Sequence, residues 1–203
     1  MASEAVLAPV PAPSAAPLAH GSATRARILH AAMLRFAQYP YEEARLRDIA
    51  ADAGVDVAHV HRSFGSKALL FQQVLSSAFQ ARKMLEEDGP LAERMVERLL
   101  EPSLDREMRL IDPLDIVIRS LLSREAIPII REALLLEVVE PLSRRLPAPA
   151  PQRAALLAAC LGGISLFRNV LRVAPLQDDE SLRPLVHDII TAALGEADKM
   201  ETA

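Results

Sequence analysis

The sequence predicts an all-α protein, with a small three-helix unit near the N-terminus and a larger helical body behind it. Three observations point there. Only 3% of the 203 residues are aromatic and none is Trp, so Leu, Ala, Ile and Val must build the core. With only seven glycines, the balance favours helices over strands, which draw on aromatic and β-branched residues. Apolar residues also recur at helical spacing in one segment after another, and no segment reads as a strand.

Charge and composition narrow the function. The formal net charge of −4 argues against a chain that coats nucleic acid indiscriminately, yet it leaves room for a specific reader with a local basic surface. The single cysteine, Cys160, cannot form an internal disulfide. It lies in an apolar run, so it reads as a small core residue in a reducing, cytoplasmic setting. No stretch reaches the roughly eighteen uninterrupted apolar residues of a spanning helix, so no membrane association is expected. Residues 1–21 are rich in Ala and Pro, and the first twenty carry no Lys or Arg. A secretory signal needs a basic start and a Pro-free apolar run, so this segment reads as a disordered leader.

Residues 22–80 form the first expected domain. Ile28, Leu29, Ala32 and Phe36 recur at helical spacing after a cap at Ser22 or Thr24, with Arg25, Arg27 and Arg35 on the surface. Tyr39-Pro40-Tyr41 ends that helix, because proline disfavours helical geometry in the residue before it. A short helix follows from about Leu46 to Ala53, then Gly54, which can take positive φ at a helix end. Asp56 caps a second short helix to about Ser63, with Val60 and Phe64 as inward anchors. Ser66 caps a longer one, with Leu69, Leu70, Val74 and Phe79 as its buried stripe. Asp88-Gly89-Pro90 is the clearest break in the chain.

Residues 81–203 form the second expected domain, with helices near Pro90–Leu100, Asp112–Leu122, Glu125–Arg145, Gln152–Val173 and Ser181–Glu196. The Pro-rich run from Pro147 to Pro151 separates two of them. Pro128 suits a helix start and Pro141 a kink or an end.

Two short helices joined by a glycine turn, with a third packed before them, make a helix-turn-helix. Ala50 supplies the small residue where the helices cross, Gly54 the turn, and Val55 the apolar plug behind it. The order Ile-Leu-x-Ala-Ala, then Asp-Ile-Ala-x-x-Ala-Gly-Val, then Phe-Gly-Ser-Lys before leucine is carried by Ile28 to Ala32, Asp48 to Val55 and Phe64 to Leu69. Over roughly Thr24 to Phe79 this resembles the DNA-binding domain of tetracycline-repressor (TetR) family regulators. The resemblance implies an all-α fold in which a three-helix helix-turn-helix DNA-binding domain precedes a larger helical ligand-binding and dimerisation domain. It places Val57, Ala58, His59 and Arg62 on the recognition helix. Lys67 matches a lysine that grips a DNA phosphate at a helix N-terminus. His61 stands where Tyr is usual as a phosphate contact, and Arg45 replaces the usual capping Ser or Thr. Arg47 joins these as a candidate contact. Ser63 and Pro40 also depart from the family pattern, at an aromatic or His position and at a Gly position.

The resemblance further implies an effector pocket in the larger domain, for which Phe71, Met95, Leu99, Ile116, Arg119, Leu136 and Phe167 are the candidates. Arg119 is expected to form a salt bridge, with Glu125 or Glu137, more readily than to meet an acidic effector. The run from Ala154 to Ile164 is apolar nearly all round and rich in small residues, so it suits close helix packing. With the last helix it makes the expected homodimer seam: Leu156, Ala159, Gly163, Leu166, Leu182, Leu185 and Ile189. The expected partners are double-stranded operator DNA and a small-molecule effector, the expected action a repressor released from a palindromic operator by that effector. His59 and His61 point apart and make a poor metal pair, and no metal, cofactor or catalytic motif is expected. The competing class is a helical small-molecule-binding protein or enzyme without DNA function.

Overall fold

The computed structural model describes residues 16–79, 81–100 and 113–195. The first helix, α1 (Ala16–Gln38), begins well before the cap expected at Ser22. Pro17 falls in its first turn, where a missing N–H leaves no bond unmade, and Ala16, Leu18 and Ala19 are strong helix formers. The expected leader is therefore helical from Ala16 onward, and its residues 1–15 lie outside the described residues.

The next three helices follow the sequence closely. They are α2 (Leu46–Asp52), α3 (Val57–Phe64) and α4 (Lys67–Phe79). Gly54 takes φ 64° at the turn. The Asp56 side chain accepts the His59 N–H at 2.5 Å, and Ser66 Oγ accepts the Leu69 N–H at 3.2 Å. The buried stripe of α4 is rotated from the expected one: Leu70, Phe71, Val74, Leu75 and Ala78 face inward, while Leu69 is 50% exposed.

The body contains α5 (Ala81–Glu86), α6 (Leu91–Leu100), α7 (Pro113–Ser120) and α8 (Ala126–Leu134). A π-turn at Leu135–Val139 carries α8 into a final turn at Glu140–Ser143. The wide turn accommodates Pro141, which has no N–H and whose ring crowds the preceding turn. Then come α9 (Ala150–Ser165), which runs into a second π-turn at Leu166–Val170, and α10 (Asp179–Leu194).

Two apolar cores result, and they do not divide where the chain breaks at Asp88-Gly89-Pro90. The first joins Ile28, Ala32 and Phe36 of α1 to Ile49, Val60, Phe64, Leu70 and Phe71, and it also takes in Ile116 of α7 and Ala126, Ile130 and Ala133 of α8. The second holds Met95, Val96, Leu100, Leu142, Ala154, Leu157, Leu182, Val186 and Ile190. The helices α7 and α8 thus belong by sequence to the body and by packing to the N-terminal unit.

Two arginines of α1, expected on the surface, instead fix the helices around it. Arg25 donates to the Ser63 carbonyl at 3.1 Å and to Gln73 Oε1 at 2.5 Å, with its guanidinium 4.1 Å from the Phe64 ring centroid. It ties the end of α3 and the middle of α4 to α1. Arg35 forms a two-bond pair with Asp52 at the end of α2. The Arg25 contacts dominate: a hydrogen bond to a charged group contributes about 1.5–3 kcal/mol when shielded, whereas an exposed ion pair contributes about 1 kcal/mol or less.

Two sets of substitutions test these constraints. Gly54 and Gly195 both hold positive φ, but a Cβ at Gly54 meets nothing within 4 Å, while at Gly195 it lies 2.7 Å from Pro147 Cγ. Gly54→Ala is expected to cost about 1–2 kcal/mol from backbone strain alone, and Gly195→Ala more. Equal losses in denaturant titration would remove the contact with Pro147. The Asp52 carboxyl is held below the usual aspartate range by the Arg35 hydrogen bond. Its contribution is full above the unfolded value and is lost as pH falls through the lowered folded one. Asp52→Asn should therefore melt lower at neutral pH and lose less on acidification, and parallel melting profiles would show that the pair adds nothing.

Candidate nucleic-acid interface and effector groove

The short α3 is anchored by Val60 and Phe64, which are 1% and 5% exposed, so its other face is turned outward. Ala58, His61 and Arg62 are exposed there, and Val57 and His59 are half-buried. Arg45, at the N-terminal boundary of α2, is exposed and makes no capping bond, as expected from losing Ser or Thr. Arg47 lies 3.5 Å from Asp48 and Arg62 lies 3.9 Å from Asp56, with about two thirds of each arginine side chain in water. Such exposed pairs are weak, so a phosphate can displace the carboxylate. His61 Nδ1 sits 3.0 Å from the Gly65 carbonyl, which accepts when that nitrogen carries the proton and leaves Nε2 outward.

Lys67 is the first residue of α4, at the helix N-terminus, but its ammonium is not free. It lies 4.3 Å from the Tyr41 ring centroid and donates to the Glu42 carbonyl at 3.4 Å. Burial pushes its pKa below the ordinary lysine value, with Glu42 and Glu125 opposing. The Glu42 carboxyl is in turn held low by a hydrogen bond from Ser123. Ser123 also caps α8, its Oγ accepting the Ala126 N–H at 3.0 Å. The start of α4 is thereby linked, through the loop after α1, to the start of α8. The sequence offered no sign of this junction, because its members are far apart in the chain and ordinary as residue types.

The candidate effector residues are not brought together. Phe71 and Ile116 lie in the first core, and Met95 and Leu99 belong to the second. Leu136 and Phe167 are 41% and 49% exposed. Arg119 forms neither expected salt bridge: its Nε donates to the Ala37 carbonyl at 2.6 Å, closing the last turn of α1. Helical spacing tells which residues face inward, but two cores share the interior and spacing does not assign residues between them. An apolar groove of about 420 Å³ lies instead between α8 and α9, lined by Leu121, Ile127, Ile130, Arg131, Leu134, Leu135, Val139, Ala155, Ala158 and Ala159.

Most of the expected seam is unpartnered in the protomer. Leu156, Leu185 and Ile189 are 66%, 60% and 43% exposed, Ala159 is exposed, and Gly163 and Leu166 are half-buried. Leu182 departs from it: it is 6% exposed, inside the second core. Cys160, expected in the core, is exposed on the same face of α9. Residues Ala150–Val170 are also long and apolar enough to cross a membrane, with a mean hydropathy of 1.3 and 11% of the window buried. Uninterrupted apolar runs do not mark this segment, because Gln152, Arg153, Arg168 and Asn169 break it near both ends. Among the described residues, no three His, Cys, Asp or Glu side chains gather as a metal site.

Comparison with known proteins places this arrangement. Residues 28–74 match the family model for bacterial regulatory proteins of the tetR family, and residues 89–194 match that for the tetracyclin repressor-like C-terminal domain. No curated protein matches the chain. Among solved structures, a TetR-family regulator of Streptomyces coelicolor is 26% identical with a TM-score of 0.60, covering 86% of this chain and 96% of that one. The multidrug binding protein EbrR, solved with ethidium, is 21% identical with a TM-score of 0.60, covering 82% and 98%. NalD, the secondary repressor of the MexAB-OprM efflux pump in Pseudomonas aeruginosa, is 24% identical with a TM-score of 0.59, covering 85% and 97%. With one model matched by the helix-turn-helix unit and the other by more than half of the chain, this protein belongs to the TetR family: it is an all-helical, DNA-binding transcriptional regulator, and not an enzyme.

Proposed function

We propose that the protein is a homodimeric repressor that binds a pseudo-palindromic operator and is released by a small-molecule effector. The observation that carries this reading is the outward face of α3, which offers Ala58, His61 and Arg62 to a major groove while Val60 and Phe64 hold the helix down. Arg45, Arg47 and Lys67 are the proposed phosphate contacts beside it. For Lys67 this requires the ammonium to leave the Tyr41 ring when DNA arrives.

The dimer follows from α9 and α10. Glycine in a helix costs about 1 kcal/mol relative to alanine. A Cβ at Gly162 or Gly163 would meet nothing within 4 Å, so no contact inside the protomer needs glycine there. A helix of a second protomer approaching along Leu156, Cys160, Gly163 and Phe167 supplies the reason, and it covers the apolar surface that would otherwise suit a lipid. Dimerisation also sets two recognition helices about 34–36 Å apart, one turn of DNA. Effector release draws support from Ile130, which lines the groove and also packs in the core shared with α4. A ligand that favours a displaced α8 shifts the population of α4 orientations, by no more than its differential affinity for the two states. Such a protein would act in the cytoplasm.

Selection from a random DNA pool should recover one inverted repeat, with affinity that falls steeply with salt. Weak, salt-insensitive binding would favour a carrier or other protein without DNA function. Gly163→Glu should sediment as a monomer and lose the repeat, and an intact dimer would move the seam elsewhere. Lys67→Met should lower the salt slope by about 0.9, the value of one phosphate contact. An unchanged slope would leave Lys67 to the Tyr41 loop alone.

A further inference from the structure

We infer that the groove between α8 and α9 is a binding site for an elongated organic anion, an apolar chain ending in one carboxylate. This rests on the reading above that the helical body takes an effector, and it names the effector's chemistry.

Three observations converge on the groove. The first is its shape and lining. At about 420 Å³ it has the size of a small-molecule pocket. Ala155, Ala158 and Ala159 form one wall, and their small side chains leave the space beside the aliphatic row on α8 unfilled.

The second is its charge. Arg131 is the one ionisable side chain of the lining, and no carboxylate lines the groove. On α8 it stands between Ile127 and Leu135, each one turn away and 37% and 51% exposed. Among the described residues, no hydrogen bond or ion pair engages its guanidinium. Its side chain is exposed at the edge of the groove, and a guanidinium flanked there by aliphatic residues matches a carboxylate in a two-bond geometry. It repels an organic cation.

The third is the backbone. The π-turn in α8 runs from Leu135 to Val139, and both of its end residues line the groove. The π-turn that accommodates Pro141 is of a kind frequent where a helix serves a site, and here it does both. Here it widens α8 along the side of the groove beyond Arg131. From Arg131 to Val139 the helix rises about 12 Å, which matches an extended medium-chain acyl group. The carboxylate then meets Arg131, and the chain lies over Leu134, Leu135 and Val139 against the three alanines.

The test is calorimetric titration of the full-length dimer with decanoate, decanol and decyltrimethylammonium, repeated on Arg131→Gln, Arg131→Lys and Ala158→Phe. Decanoate is expected to bind once per protomer, decanol more weakly, and the ammonium not at all. Arg131→Gln should weaken decanoate by about ten- to a hundredfold, the worth of a charge-assisted hydrogen bond. Arg131→Lys should restore part of the loss, and Ala158→Phe should abolish binding by filling the groove. Thermal unfolding of each variant separates a lost site from a lost fold. Equal binding of all three probes, no binding of decanoate, or decanoate binding that ignores Arg131 would overturn the assignment. So would a monomeric Ala158→Phe protein, because the groove would then be part of the protomer contact. Decanoate that binds through Arg131 without releasing operator DNA would leave the site standing and remove its role as the effector site.

Discussion

The structure depends on one buried face of α1. Ile28, Ala32 and Phe36 are fully buried along it, and they are the common surface on which α2, α4 and α7 pack. Phe36 and Tyr41 stack, and Phe71 meets both edge-on, with ring centroids 4.7–6.0 Å apart, so the loop after α1 and the middle of α4 share one aromatic cluster. Arg25 near the middle of α1 and Arg35 in its last turn then set the angles of α3 and α2. The recognition helix is too short to hold an orientation by itself, and it inherits one from α1.

Because α7 and α8 pack on the same helices, the reading head and the body are not independent bodies joined by a linker. Interiors packed at near-crystalline density transmit displacement instead of absorbing it. A shift of α8 meets α4 through Ile130 and Ala133, and it meets the loop after α1 through Ser123 and Glu42. Lys67 stands where these routes converge: it is at the N-terminus of α4 and rests on Tyr41. The side chain proposed to grip phosphate is thus the one that the start of α8 reaches through Glu42 and Ser123.

The helix α9 reconciles several demands through the size of its residues. Ala154 and Leu157 enter the second core, Ala155 and Ala158 wall the groove, and Leu156 and Cys160 stand in the open. An apolar residue on every side would be uninterpretable in a helix that served only its own core. It becomes intelligible once three different neighbours are assigned to three faces.

The fold class, the helix-turn-helix and its caps were legible in the sequence because they are local. Gly54 must take a left-handed turn, Asp56 and Ser66 cap the helices that follow them, and Val60 and Phe64 lie one turn apart on one face. The exposed basic residues of α2 and α3 were legible for the same reason. What the tertiary structure alone decided is partnership. Arg25 and Arg35 read in sequence as surface charges and Arg119 as the partner of a carboxylate, yet the first caps α3, the second pairs with α2 and the third closes α1. Leu182 and Leu185 look alike as seam residues, yet the first is buried in its own core and the second stands in the open. Helical periodicity fixes which side chains share a face of one helix. Which other helix that face meets depends on contacts between segments far apart in the chain, and no local pattern carries that information.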